Sequence, residues 1–186
     1  DCKKDAELKA HALIDAGYSG AFNVAGGAYD TVPFQNANHS VRVTDEFMQA
    51  VEADATWETK FRTSGKTAET FRAKDLLHSI AEGTWVCGDP GMQYDTAAND
   101  WHTCANTDRI YASNPCSEFF FLNSTACNLS SLNLMKFRQD GTGAFDTESF
   151  DHAVKIMITA QEIVVGFASY PTDKIEQRSH EFRPLG

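Results

Sequence analysis

The residues Asn114-Pro115-Cys116-Ser117-Glu118 bring three chemically useful side-chain types within five positions. An amide donates and accepts hydrogen bonds, a thiol can be a nucleophile or a hydrogen-atom donor, and a carboxylate can be a general base. Pro115 fixes its own φ and biases Asn114 away from the α region, so the run is expected to be extended. In an extended run, residues two apart face the same way, about 6.6–7 Å from each other. Asn114, Cys116 and Glu118 would then form a row on one face. A second thiol, Cys127, follows eleven residues after Cys116, and the apolar residues Phe119 to Leu122 between them could pin the loop into a core.

Plainer readings compete for the same residues. Asn-Pro-Cys alone also fits a turn followed by a small buried hydrophobe. Zinc is a second possibility, but the gaps of 17, 12 and 11 residues separating Cys87, Cys104, Cys116 and Cys127 lack the close pairs that zinc sites use. His102-Thr103-Cys104 supplies one close nitrogen and sulfur pair. His102 could also serve as base to a papain-like cysteine, yet nothing resembles an oxyanion loop.

Composition narrows the classes further. The chain has 186 residues, 42% hydrophobic and 11% aromatic, which suits a folded domain with a real core. With 16 Lys+Arg against 26 Asp+Glu, the net charge is −10. That balance argues against a grip on polymeric nucleic acid, which needs Lys and Arg to neutralise phosphates. A small nucleotide remains compatible, since a few oriented backbone N–H groups can hold one. No run of eighteen apolar residues suggests a membrane span. Five cysteines (Cys2, Cys87, Cys104, Cys116, Cys127), an odd number with no Cys-x-x-Cys pair and no secretion signal, fit a reducing cytoplasm. The sequons at Asn38, Asn123 and Asn128 are then chance matches. The chain opens without Met and stops after Phe182-Arg183-Pro184-Leu185-Gly186, so it is expected to be a piece truncated at both ends.

The elements that must carry the reactive run alternate in type. Residues 3–16 predict a helix with Leu8, Ala12 and Leu13 inward, stopped by Gly17. Residues 17–39 read as loop and 40–43 as a short strand. Thr44 is expected to cap a helix to about Asp54 with Phe47, Met48 and Val51 inward. Residues 57–72 predict a hairpin around Ser64-Gly65. A helix over 73–86, with Leu76, Leu77 and Ile80 inward, leads to a turn at Asp89-Pro90-Gly91 and a strand over 92–94. Residues 95–113 show no period and read as a long ordered loop. Residues 128–137 alternate apolar and polar and predict a buried strand. Thr147 is expected to cap a helix over 148–168 with Phe150, Val154, Met157, Ile158 and Val164 inward. Pro171-Thr172 opens a last helix running toward Phe182. Helices mixed with strands imply an α/β fold.

Several of these stretches resemble one family, in one order. The run ASNPCSEFFFLNSTACNLSSLNLMKF (112–137) resembles the active-site finger loop of adenosylcobalamin-dependent, class II ribonucleotide reductases. NANHSVRVTDEFMQAVE (36–52), GTWVCGDPGMQYD (83–95) and NDWHTCANTDRIYASNPC (99–116) are similar to the same enzymes. Similarity is weaker over 147–186 and loose over 1–34. The resemblance implies a ten-stranded α/β barrel, of which residues 1–186 would be a single fragment of the catalytic domain, with the finger loop at about 112–128.

The resemblance also implies roles. Cys116 would become a thiyl radical, generated with adenosylcobalamin, and take the 3′ hydrogen of a ribonucleotide. Glu118 would deprotonate the 3′-OH, Asn114 would orient the sugar, and residues Asn114, Pro115, Cys116, Ser117 and Glu118 would contact substrate. Cys127 would be one of two thiols that reduce the sugar and end as a disulfide, its partner lying outside this stretch. The three groups at 114, 116 and 118 would have to face one sheltered hollow, with Phe119 to Phe121 helping to seal it. Implied partners are a nucleotide effector, a thioredoxin-type reductant and a second copy in a homodimer, with diphosphates preferred as substrates. Ala37 and His39 depart from the pattern expected near an effector-relay loop. The large subunit of iron-dependent, class I reductases is the nearest alternative, although its spacing between radical and reducing cysteines is longer. A zinc-stabilised binding module is the alternative of a different class.

Overall fold

In a computed structural model, which describes residues 2–22 and 24–186, the chain divides into two compact units, residues 1–120 and 121–186.

The first unit is mixed α/β. Helix α1 (Cys2–Asp15) ends where the sequence places its stop, with Gly17 at φ 95°. Its inward side is Ala6, Ala10 and Leu13, packed on Ala28, Tyr29 and Val32, whereas Leu8 is exposed. The expected stripe through Leu8 and Ala12 is therefore turned: small Ala side chains let the helix lie close to the single 3-10 turn at Ala28–Thr31, a feature of the stretch read as loop. Ion pairs from Lys3 to Asp89 and from Lys4 to Glu82 tie α1 to the helix over Ala73–Cys87 and the turn that follows it.

Strand β1 (Ser40–Val43) pairs in parallel with β4 (Gly91–Tyr94), Arg42 opposite Gln93. Between them run α2 (Asp45–Glu52), the antiparallel hairpin β2 (Thr56–Lys60) and β3 (Thr67–Arg72), and α3 (Ala73–Cys87). Gly65 takes φ 68° in the hairpin turn, a conformation that costs glycine little. The core of this unit is Val43, Phe47, Val51 and Ala73, with Trp57, Leu76, Leu77 and Met92 against it. Phe47 and Trp57 meet edge to face with ring centroids 5.2 Å apart. Thr44 stands at the start of α2, but its side chain makes no capping bond. Gly83 sits where a Cβ would lie 3.1 Å from the Asp89 carbonyl, so glycine lets the turn before β4 press against α3. After β4 a short helix, α4 (Asp95–Asp100), occupies the start of the segment read as loop. Its sequence, DTAAND, has no apolar period to announce it.

The second unit contains α5 (Thr147–Phe167) and α6 (Asp173–Phe182). Asp146, one residue earlier than expected, caps α5 by accepting the Ser149 N–H at 3.0 Å. The inward side of α5 carries Phe150, Val154, Met157, Gln161 and Val165, while Ile158 and Val164 are about half exposed. A 21-residue helix drifts relative to any short-range pattern, and here the stripe moves one position on in its last turns. The last helix opens after Pro171-Thr172 as expected, with the Thr172 side chain accepting the Ile175 N–H as its cap. Residues 128–137 do not form the expected strand. Asn128 pairs with Leu185 in one parallel bridge, and Leu134–Phe137 close into a 3-10 turn capped by the Asn133 side chain. Alternation supplies a face, but a strand also needs a neighbouring backbone, and the Asn133 side-chain oxygen Oδ1 captures the Met135 N–H instead. Phe137, Phe145 and Phe150 gather beside this turn.

The α/β class holds. Among the described residues there are two two-stranded sheets and no closed barrel.

Candidate active site

The reactive run lies at the tip of a hairpin-like loop in the first unit, not in an extended strand. Ser113 and Phe120 pair as an antiparallel bridge, and the Asn114 N–H donates to the Phe119 carbonyl at 3.3 Å. Inside that pair, the Ser117 N–H donates to the Asn114 carbonyl at 3.1 Å, which closes a four-residue turn. Pro115 occupies the second turn position, where its fixed φ belongs. Ser117 takes φ 64°, left-handed for a residue with a side chain. The Asn114 side chain accepts the Phe119 N–H at 2.9 Å and so closes the turn from within.

This corrects the expected row. A turn rotates successive side chains away from the strand alternation, so Asn114, Cys116 and Glu118 do not share one face through period two. Asn114 and Pro115 border a polar hollow of about 310 Å³ whose other walls include Asn38, Ser40, Arg42, Gln93 and Ser113. Asn114 is half-buried, while Cys116 and Glu118 are exposed and are not part of that lining. Of the three groups, the hollow gathers one. Phe119 and Phe120 are half-buried behind the tip, and the Arg42 guanidinium lies over the Phe120 ring at 5.6 Å.

Charge is organised beneath the loop. Arg42 donates from Nε to Asp95 at 2.6 Å, from Nη1 to Gln93 at 3.0 Å and from Nη2 to the Ile110 carbonyl at 3.0 Å. Arg109 also pairs with Asp95. Burial works to raise the Asp95 pKa, but the hydrogen bonds and charges of the two arginines outweigh it and hold the carboxyl below its usual range. Asn99 clips the approach to the loop, giving its Nδ2 to the Ile110 carbonyl and accepting the Ile110 N–H. The sequence reading passes over Arg42 and Gln93. Their one signal is a long polar side chain in the middle of each of two short strands, SVRV and GMQY.

Cys127 lies in the second unit and is half-buried. Its neighbours are fixed from two helices: the Ala126 N–H donates to the buried Ser179 hydroxyl at 3.0 Å, and the buried Gln161 amide donates to the Asn128 and Gly186 carbonyls at 2.8 and 2.9 Å. Among the described residues, no three His, Cys, Asp or Glu side chains are grouped so as to hold a metal ion. Among the described residues no helix is long and apolar enough to cross a membrane.

Residues 23–186 match the ribonucleotide reductase barrel domain. The chain belongs to that family. The whole chain aligns with a vitamin B12-dependent ribonucleotide reductase of Rhodopirellula baltica at 54% identity and with one of Streptomyces clavuligerus at 46%. These alignments cover 18% and 20% of the two relatives, so the chain spans about one fifth of their length. A more distant relative, the vitamin B12-dependent ribonucleoside-diphosphate reductase of Mycobacterium tuberculosis, is 28% identical over 80% of the chain and 21% of its own length. Within this reductase family, the match runs through the Cys116 turn and the Cys127 segment alike.

Proposed function

We propose that this chain is the part of an adenosylcobalamin-dependent ribonucleotide reductase that carries the radical cysteine, Cys116. The observation that carries this reading is a braced turn with Cys116 at its tip, in a chain of the reductase family whose relatives bear vitamin B12-dependent names. The donor set fits the cofactor. A corrin holds its own metal, so no cluster of protein ligands is required, and what the protein must offer is an accessible S–H. When bound, the cofactor supplies an unpaired electron, and Cys116 is the residue assigned to meet it.

The chain's own groups do the rest. The Cys116 sulfur would give its hydrogen atom to the radical that the bound cofactor supplies, and as a thiyl would take the 3′ hydrogen of the ribonucleotide as a hydrogen atom. Glu118 accepts the 3′-OH proton as general base, and the Asn114 amide orients the sugar hydroxyls. The 2′-OH leaves as water. Two electrons and two protons come from Cys127 and a second thiol of the longer protein, which end as a disulfide that a thioredoxin-type reductant reopens. The 3′ hydrogen then returns from Cys116, which regenerates the radical. Pro115 and Ser117 complete the substrate contact. A ribonucleoside diphosphate is the proposed substrate, a preference supported by the name of the mycobacterial relative. The complete ten-stranded barrel, the nucleotide effector, the homodimer and the cytoplasmic setting belong to the same proposal.

The iron-dependent alternative is not favoured by the relatives' names, and the zinc-stabilised module finds no grouped ligands among the described residues. The deciding experiment is turnover of the full-length protein with a dithiol reductant. Cys116→Ser is expected to abolish deoxyribonucleotide formation. A Cys116→Ser enzyme with normal yield refutes the assignment.

A further inference from the structure

We propose that Gln93 is a positioning residue for the Cys116 turn, with its amide aimed by Arg42. Calling the turn catalytic rests on the function proposed above; the hold of Gln93 on the turn does not. Arg42 and Gln93 are partners in the parallel β1–β4 register, so their side chains leave the same face of the sheet. A guanidinium only donates hydrogen bonds, so the amide atom 3.0 Å from Arg42 Nη1 must be the oxygen. The NH2 end of Gln93 is thereby turned toward the loop. Its two protons go to Ser113 Oγ at 2.7 Å and Ser117 Oγ at 3.0 Å.

Those two serines stand on either side of Asn114-Pro115-Cys116. Ser113 ends the outgoing leg, and Ser117 is the left-handed residue that begins the return. One buried amide, 6% exposed, thus bridges both legs at the base of the tip. Ser113 passes the connection on, donating at 2.7 Å to the Asn114 carbonyl, the same atom that closes the turn with Ser117 N–H. Hydrogen bonds chained in this way strengthen one another away from water. Arg42 cannot swing, because Asp95, Gln93 and the Ile110 carbonyl hold its three nitrogens. Hydrogen-atom transfer demands placement to a fraction of an ångström, and a shift of about 1 Å can cost about a hundredfold in rate. A lever from the sheet to both sides of Cys116 supplies that placement.

The test uses the full-length enzyme with Gln93→Met, which keeps length and volume but neither donates nor accepts strongly, with Ser113→Ala, and with the two combined. Amide exchange over residues 111–122 is expected to accelerate at least tenfold in each variant, while residues 45–52 of α2 exchange as in wild type. The kcat is expected to fall roughly ten- to a hundredfold with KM within about threefold. The double variant should lose little more than the worse single one, because both remove the same link. Unchanged exchange at 111–122, wild-type kcat in Gln93→Met, or additive losses would each overturn the proposal. Exchange needs no turnover and no cofactor, so it judges the hold of Gln93 even if Cys116→Ser were to show that the functional reading is wrong.

Discussion

Ser117 holds φ 64° beside the thiol it helps to aim, and a residue with a Cβ pays roughly 1–2 kcal/mol for that region. Glycine adopts it freely, and a β-branched side chain adopts it worst. Ser117→Gly and Ser117→Val both delete the hydroxyl that Gln93 reaches, so that loss cancels in their difference, which is set by the left-handed φ and offset in part by the greater unfolded-state freedom of glycine. Ser117→Val is expected to be less stable than Ser117→Gly by about 1–2 kcal/mol in chemical denaturation. Equal stabilities would show that the left-handed conformation is not held in solution. In the second unit, Gln161 has the corresponding supporting task for the Cys127 segment. Replacing it by Leu leaves Asn128 and Gly186 with one partner fewer each inside the protein. A destabilisation of about 1–3 kcal/mol is expected from denaturant midpoints.

Helix ends and the arginine-bound carboxylate under the loop act at the level of the element. Asp146 caps α5 with both carboxylate oxygens, one on the Ser149 N–H and one on its hydroxyl. Asp146→Ala is expected to lower the denaturant midpoint of unfolding, because the Ser149 N–H at the start of α5 loses its acceptor. Asp95 joins β4 to α4 and binds Arg42 and Arg109. Its pKa is lowered on folding, so the folded state binds its proton less readily than the unfolded chain does. The stabilisation is therefore complete above the ordinary carboxylate pKa, near 3.8, and is lost as pH falls through the lowered value. The protection factor at Ile110, taken against the intrinsic exchange rate at each pH from 6 downward to about 3, should fall on acidification more in the wild type than in Asp95→Asn. Parallel profiles for the two proteins would rule out that linkage.

The molecule as a whole displays large apolar side chains: Trp85 is 90% exposed, Phe167 88% and Trp101 87%. Both sheets have only two strands, so each leaves unpaired backbone edges. The 186-residue chain by itself is expected to self-associate, seen by light scattering, and to give no turnover, since it spans about one fifth of its relatives. A monodisperse, catalytically active preparation of this chain alone would contradict both expectations.

Local rules made much of the frame legible. The SVRV strand, the Phe47-Met48-Val51 stripe, the Ser64-Gly65 hairpin and the helix start at Pro171-Thr172 each depend on neighbours a few residues away, so spacing alone announces them. The cysteine, amide and carboxylate at 114–118 were visible for the same reason, as residue types close in sequence. What spacing could not decide was any choice between two partners for one backbone group. Pro115 suits an extended run and a turn equally well, and the Asn114–Phe119 pairing selects the turn. Residues 128–137 alternate like a strand, yet only their first residues, through Asn128 and Ser130, meet the neighbouring backbone at 184–186, and the Asn133 side chain bends the later residues away. The Arg42–Gln93–Ser113 link joins residues 71 positions apart at its ends, and that proximity exists only once β1 lies beside β4. Sequence determines which groups are available and how each short segment prefers to fold. Tertiary structure decides which donor meets which acceptor, because burial makes an unmet polar group costly and so forces a pairing that no local pattern contains.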